Sequence, residues 1–151
     1  MELLKVIILG IVQGLTEFLP VSSSGHLVIF QHFFNITEAL TLDVFLHFGT
    51  LVAVVIVYWE DIVEIITLKP EYRKFTYYIL LGSVPAGVIG VLYKDEIEHA
   101  FNSVKMVGFM LIITGILLWL SDRINNQSRK MEEMSIIDSV VIGFAQDFAI
   151  L

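Results

Sequence analysis

Gly14-Leu-Thr-Glu-Phe-Leu-Pro-Val-Ser-Ser-Ser-Gly-His26 sets Glu17, three serines and His26 inside a sequence oily enough for a bilayer. Ionisable groups at membrane depth are expensive, roughly 2.5–3.5 kcal/mol for Asp on insertion scales, so they usually serve a function. Pro20 and Gly25 bracket the serines and interrupt any continuous helix. Broken backbone at that depth is tolerated only where it is buried in protein or lines a water-filled cavity. The stretch therefore predicts a polar pocket inside a membrane.

Composition points the same way. Apolar residues make up 56% of the 151 positions and mean hydropathy is +0.81, which puts the membrane class first. The chain has no cysteine, which excludes a disulfide framework and a thiolate metal site. A formal charge of −7 without a basic run argues against a nucleic-acid partner. Lys5 and the apolar run Val6–Val12 resemble a secretory signal, but no small-residue cleavage site follows, and no cleavage is expected.

Working outward, three segments are long enough for a hydrocarbon core that takes about 20 apolar residues: Leu42–Trp59, Phe75–Tyr93 and Val104–Leu120. Tyr58, Trp59, Tyr77, Tyr78, Tyr93 and Trp119 fall near their ends, where amphipathic rings favour the headgroup level. The opening region differs. Leu3–Gly14 is too short to cross, and after the break comes another short apolar piece, Leu27–Phe34. A helix–loop–helix over 3–34, entering and leaving by one face, fits those lengths. Following the spans, Lys69, Arg73, Lys74, Arg123, Arg129 and Lys130 land on one side, and Lys5, Lys94 and Lys105 on the other. The positive-inside rule makes the first side cytoplasmic, so the hairpin dips in from outside and its pocket faces outward.

The end of the chain repeats its beginning: Ile8-Leu-Gly-Ile-Val-Gln13 aligns with Val141-Ile-Gly-Phe-Ala-Gln146. Three intervening spans would start the second copy on the opposite side, the signature of an inverted-topology repeat. The expected fold is thus an all-α integral membrane protein. A first repeat over 1–135 holds one re-entrant hairpin and three transmembrane helices, and 136–151 begins a second, truncated repeat. The chain reads as the first half of a larger protein.

Gln13-Gly-Leu-Thr-Glu17-Phe-Leu-Pro-Val-Ser-Ser-Ser-Gly-His26 closely resembles the first signature of bacterial undecaprenyl-diphosphate phosphatases, the bacitracin-resistance family. Leu42-Asp-Val-Phe-Leu-His-Phe-Gly-Thr50 looks like the start of that family's next helix. Ser139–Leu151 resembles the lead-in to its second signature, a Pro-Gly-x-Ser-Arg-Ser loop. The resemblance implies a membrane enzyme with two re-entrant hairpins and six spans. It would remove the terminal phosphate of undecaprenyl diphosphate at the outer face of the cytoplasmic membrane, recycling the lipid carrier of cell-wall synthesis. Dependence on a divalent cation, Mg²⁺ or Ca²⁺, belongs to the same implication.

Cleaving a phosphoanhydride takes a nucleophile, a proton donor for the leaving group, and groups that hold equatorial charge. Gln13 and Glu17 are four apart and share a helix face. Both are candidate oxygen ligands for the cation, and Glu17 is alternatively a general base. The plain alternatives are a helix-end carboxylate reaching the interface for Glu17 and an interhelical hydrogen bond for Gln13. Family members often carry Glu at the position of Gln13, which weakens a strict two-carboxylate mechanism here. Ser22, Ser23, Ser24 and Gly25 precede the second short helix, where hydroxyls and free N–H groups make an anion site. A plain N-cap explains one serine but not three. Ser23 is the preferred nucleophile or phosphate contact, and His26 is a nucleophile or a general acid.

Asp43 and His47, four apart on a span, either line the pocket or satisfy each other. His32 reads as structural. Asp147 has no assigned role, and Ile150 holds the register of Glu17 in the second copy. The resemblance places a phosphate-gripping arginine in the second loop, beyond Leu151. A homodimer would not supply it, so residues 1–151 alone are expected to have little or no phosphatase activity. The competing readings are half of a lipid-diphosphate transporter and a non-catalytic membrane protein acting through contacts.

Overall fold

The computed structural model describes residues 2–36, 39–101, 103–123 and 133–150. Among them the chain forms eight α-helices and no strand: α1 Glu2–Thr16, α2 Ser23–Phe34, α3 Ala39–Val57, α4 Trp59–Ile66, α5 Arg73–Leu92, α6 Lys94–Phe101, α7 Val104–Asp122 and α8 Ile136–Ile150. α3, α5 and α7 are long and apolar enough to cross a membrane. At 1.5 Å per residue each is about 28–30 Å long, close to the hydrocarbon thickness of a bilayer. α1 and α2 have 15 and 12 residues, about 22 and 18 Å, and fall short of it.

The chain divides into two compact units, one built from α1, α2, α3 and α7, the other from α4, α5 and α8, with α6 at the division. Compactness and repeat membership are different properties, and the units do not follow the expected repeat boundary at 135.

In the first unit α1 and α2 pack against each other, and α2 also packs on α7. Leu9 and Leu27 are fully buried there, with Val107 of α7 nearly so. Pro20 stops α1 from running on, because it has no N–H to continue the ladder. α2 then starts on Ser22, whose φ of 59° is left-handed and whose Oγ accepts the N–H of Gly25 at 3.3 Å. α2 ends at Asn35 in the αL conformation (φ 53°), which Asn tolerates better than most residues. Lys5, near the start of α1, donates from Nζ to the carbonyl of Phe34 at the end of α2, 3.0 Å away. The two helices are therefore a hairpin whose outer ends meet, and the cation sits at the negative end of the α2 dipole. Gly25 is where α7 comes closest: a Cβ there would lie 3.0 Å from Cδ2 of Leu111.

In the second unit α5 and α8 meet backbone to backbone. A Cβ on Gly143 would collide with the carbonyl oxygen of Gly82 and sit 3.1 Å from Cγ of Pro85, while one on Gly82 would lie 3.0 Å from the Ser139 carbonyl oxygen. Buried Ser139 donates its hydroxyl to the carbonyl of Tyr78. Small residues that let helices approach closely, joined by a hydroxyl hydrogen bond, are the usual glue between helices in lipid. At the corner before α5, Lys69 donates to Glu64 at 2.5 Å. That bond holds the Glu64 carboxyl below its usual range and raises Lys69.

The expected spans correspond to α3, α5 and α7 with shifted ends. α3 starts three residues before Leu42 and stops at Val57. There Tyr58 leaves helical geometry (φ −106°, ψ 27°) and Trp59-Glu60-Asp61 opens a new helix with its carboxylates at the positive end. α5 and α7 each extend two residues into charged flanks, Arg73 and Lys74 in one case and Ser121 and Asp122 in the other. Hydropathy marks where a helix is apolar, whereas hydrogen bonding marks where it ends. α4 and α6 are short helices of mixed polarity that apolar length alone does not reveal.

Candidate active site

α1 places Gln13 and Glu17 one turn apart, and the backbone N–H of Glu17 still reaches the Gln13 carbonyl at 2.9 Å. Gln13 is buried and donates from Nε2 to Oε2 of Glu17 at 2.9 Å. That amide orientation leaves Gln13 Oε1 buried with no hydrogen-bond partner among the described residues. An orphaned acceptor of this kind costs about 1–3 kcal/mol.

Across the break, Ser23 donates its hydroxyl to the same Glu17 Oε2 at 2.5 Å. The serine run does not precede α2 as expected. Ser22 is its N-cap, and Ser23 and Ser24 form the first turn, because one capping hydroxyl suffices to start a helix. The result puts Ser23 on a defined helical position and leaves N–H groups of the first turn without helical partners. Gly25, buried against Leu111, holds that turn close to α7.

His26 is half-buried, with Nδ1 2.8 Å from the Ser22 carbonyl oxygen. A carbonyl only accepts, so Nδ1 carries the proton in that contact and Nε2 is the atom left for chemistry. His47 on α3 is arranged in the same way, Nδ1 bonding the Asp43 carbonyl at 2.8 Å. Its Nε2 lies 3.8 Å from Glu17 Oε2. The hydrogen bond between Asp43 and His47 thus runs through the Asp43 backbone. The Asp43 carboxylate instead accepts from Nε2 of Gln31 at 2.5 Å, and Gln31 is buried on α2.

Glu17 Oε2 is therefore the hub, approached by Gln13, Ser23 and His47. Sequence reasoning anticipated Gln13 and Ser23 beside Glu17. It left Asp43 and His47 as either pocket lining or a mutually satisfied pair and passed over Gln31, although a lone amide on an oily helix, with a carboxylate on the next one, was the available signal. His32 is exposed in the last turn of α2. The side chain of Asp147, with Arg129 and Lys130, lies outside the described residues.

A divalent cation can be tested against this donor set. Among the described residues no three His, Cys, Asp or Glu cluster as a metal site, which does not suit Zn²⁺. Mg²⁺ is commonly held by one or two carboxylates, with water and substrate phosphates completing the shell. The Glu17 carboxylate and the unpartnered oxygen of Gln13 fit that incomplete pattern.

The segment around Gln146, whose sequence echoes that around Gln13, is built differently. Gln146 is exposed and, with Phe75, Tyr78, Gly82 and Ser139, lines a cavity of about 300 Å³ in the second unit. No carboxylate follows it four residues on, since Ile150 stands there.

Comparison with known proteins adds the family. The model described as bacitracin resistance protein BacA matches residues 6–151. A curated undecaprenyl-diphosphatase of Halothermothrix orenii is 52% identical, with 100% of this chain and 59% of that protein covered. One from Alkaliphilus metalliredigens is 40% identical, covering 99% and 61%. An undecaprenyl-diphosphatase 4 of Bacillus cereus is 41% identical, covering 99% and 58%. The chain thus spans about 60% of the length of these relatives. No solved structure matches it.

Proposed function

The chain belongs to the bacitracin resistance protein BacA family, and from that membership we propose that it forms the Glu17 side of an undecaprenyl-diphosphate phosphatase site. The family and the three long apolar helices make it a multi-pass membrane protein. The reaction is hydrolysis of the phosphoanhydride of undecaprenyl diphosphate to the monophosphate and inorganic phosphate. The membrane is the cytoplasmic one, with α1 and α2 as a re-entrant hairpin opening outward and α8 beginning an inverted repeat. The uneven distribution of lysine and arginine supports that orientation.

The observation that carries the reading is the 2.5 Å bond from Ser23 Oγ to Glu17 Oε2. A hydroxyl held against a carboxylate is the arrangement of an activated nucleophile and its base. Ser23 attacks the terminal phosphorus and gives its proton to Glu17. The bond from phosphorus to the bridging oxygen breaks, and the lipid monophosphate leaves with a proton from His26. Water then attacks the phosphorus of the phosphoserine and passes its proton to His26, while the bond from phosphorus to Ser23 Oγ breaks and Glu17 returns its proton to that oxygen. Ser22, Ser24 and the N–H groups around Gly25 hold the equatorial oxygens at the α2 N-terminus. Gln13 orients Glu17 and, with it, would hold a divalent ion, which when bound neutralises charge on the phosphate oxygens.

Glu17→Gln in the full-length gene product is expected to lower phosphate release from a prenyl diphosphate by about 10²–10⁴-fold, the usual span for losing a general base. Ser23→Ala should fall with it. Undiminished release by both variants would remove the assignment. Lipid-diphosphate movement across vesicles without any phosphate release would favour a transporter.

A further inference from the structure

We propose that His47 is a positioning residue for Glu17, held at its station by the Asp43–Gln31 hydrogen bond; the inference rests on the phosphatase reading of the Glu17 site. α3 is an unusual neighbour for a catalytic carboxylate. None of its described residues is buried, so apolar packing does little to fix it against α1 and α2. Two polar contacts tie it to the hairpin region. Asp43 accepts from Gln31 of α2 at 2.5 Å, and one turn on, His47 Nε2 faces Glu17 Oε2 at 3.8 Å. Beside them, Leu46 comes within 3.8 Å of where a Cβ on Gly10 of α1 would stand.

The two polar contacts differ in kind. Gln31 and Asp43 hydrogen-bond directly, which registers α3 along α2. His47 has Nδ1 engaged on its own helix at the Asp43 carbonyl, which fixes the ring and points the other nitrogen at Glu17. At 3.8 Å that nitrogen is within ion-pair range and beyond a hydrogen bond. It therefore sets the direction of the carboxylate without replacing Ser23 as its bonded partner. In lipid, where helices gain nothing from burying apolar surface against one another, polar contacts of this sort decide helix register. A carboxylate that must accept a proton from Ser23 needs its Oε2 held in place, since a displacement of about 1 Å can cost on the order of 100-fold in rate.

The test compares His47→Leu, which keeps bulk, with His47→Gln, which keeps a donor near the position of Nε2. In the full-length gene product, His47→Leu is expected to lower kcat for phosphate release about 10–100-fold with KM within about twofold. His47→Gln should recover most of the loss. Glu17→Ala with His47→Leu should be no slower than Glu17→Ala alone. A second measurement does not need activity. Because the chain has no cysteine, Gly10→Cys with Leu46→Cys can be joined by a short thiol cross-linker, reporting how α3 sits on α1. His47→Leu or Asp43→Leu should reduce the yield several-fold, and His47→Gln should restore it. If kcat and cross-linking are both indifferent to His47→Leu, His47 does not position Glu17. If phosphate release is absent, or survives Glu17→Ala, the phosphatase reading fails, and the cross-linking still judges the role of His47.

Discussion

Gln13 shows how much one buried atom can say. Its Nε2 is engaged with Glu17, and its Oε1 is buried with no partner among the described residues. Buried polar atoms are rarely left so, and an oxygen next to a carboxylate is a natural second ligand for a hard cation. Gln13→Glu supplies a charged oxygen but loses the donor that steadies Glu17. The expected outcome is at least about tenfold lower half-saturating Mg²⁺ or Ca²⁺, read by calorimetry, with reduced thermal stability in chelator, where two carboxylates face each other. Unchanged affinity would argue against a cation at this pair. Glu17, Ser23 and His26 stand out in the sequence as candidates because a bilayer makes each of them costly. The partnership of Glu17 with His47 was not, since 30 residues of sequence separate them and only the placing of α3 unites them.

Helix ends and helix contacts follow different rules, and the elements here show both. Pro20 and the capping serine could be read directly, as local sterics and one hydrogen bond fix them. The α5–α8 contact could not, because Gly82, Ser139 and Gly143 acquire meaning only when two helices come together. Gly143→Ala should lower stability by about 1–3 kcal/mol, the usual cost of overpacking, because the new methyl meets the Gly82 carbonyl. Gly87→Ala on α5 has open space instead and should stabilise by roughly 0.5–1 kcal/mol through helix propensity. Thermal unfolding in detergent measures both. Equal effects would show that α5 and α8 do not approach as described. The C-terminal end of α3 has a local cause instead: Tyr58 breaks the helix through its backbone angles, which hydropathy does not register.

Across the whole molecule, the surface is what a lipid solvent requires. Large apolar side chains such as Phe45, Phe48, Ile56, Val91, Phe109 and Leu117 are exposed along the three long helices. Near their ends Lys74 lies over Tyr78, and Arg123 is 4.0 Å from the Trp119 ring, the pairing of cation and aromatic expected at an interface. Orientation can be tested with single cysteines in the cysteine-free chain. Glu71→Cys, beside the basic cluster, should resist an impermeant thiol reagent added to intact cells and react after permeabilisation. Asp95→Cys should react at once. The reverse pattern would turn the Glu17 pocket toward the cytoplasm.

Membrane character, the number of long helices and the choice of Glu17, Ser23 and His26 as candidates were set by the sequence itself, because hydrophobicity, proline and glycine sterics and the expense of burying charge act locally along a chain. Which atoms meet at Glu17 Oε2, the burial of Gln13 against the exposure of Gln146, and the bond between Gln31 and Asp43 were decided only by tertiary structure. Those contacts join residues on different helices, or copies of one motif in different surroundings. Their energies exist only once the helices have packed.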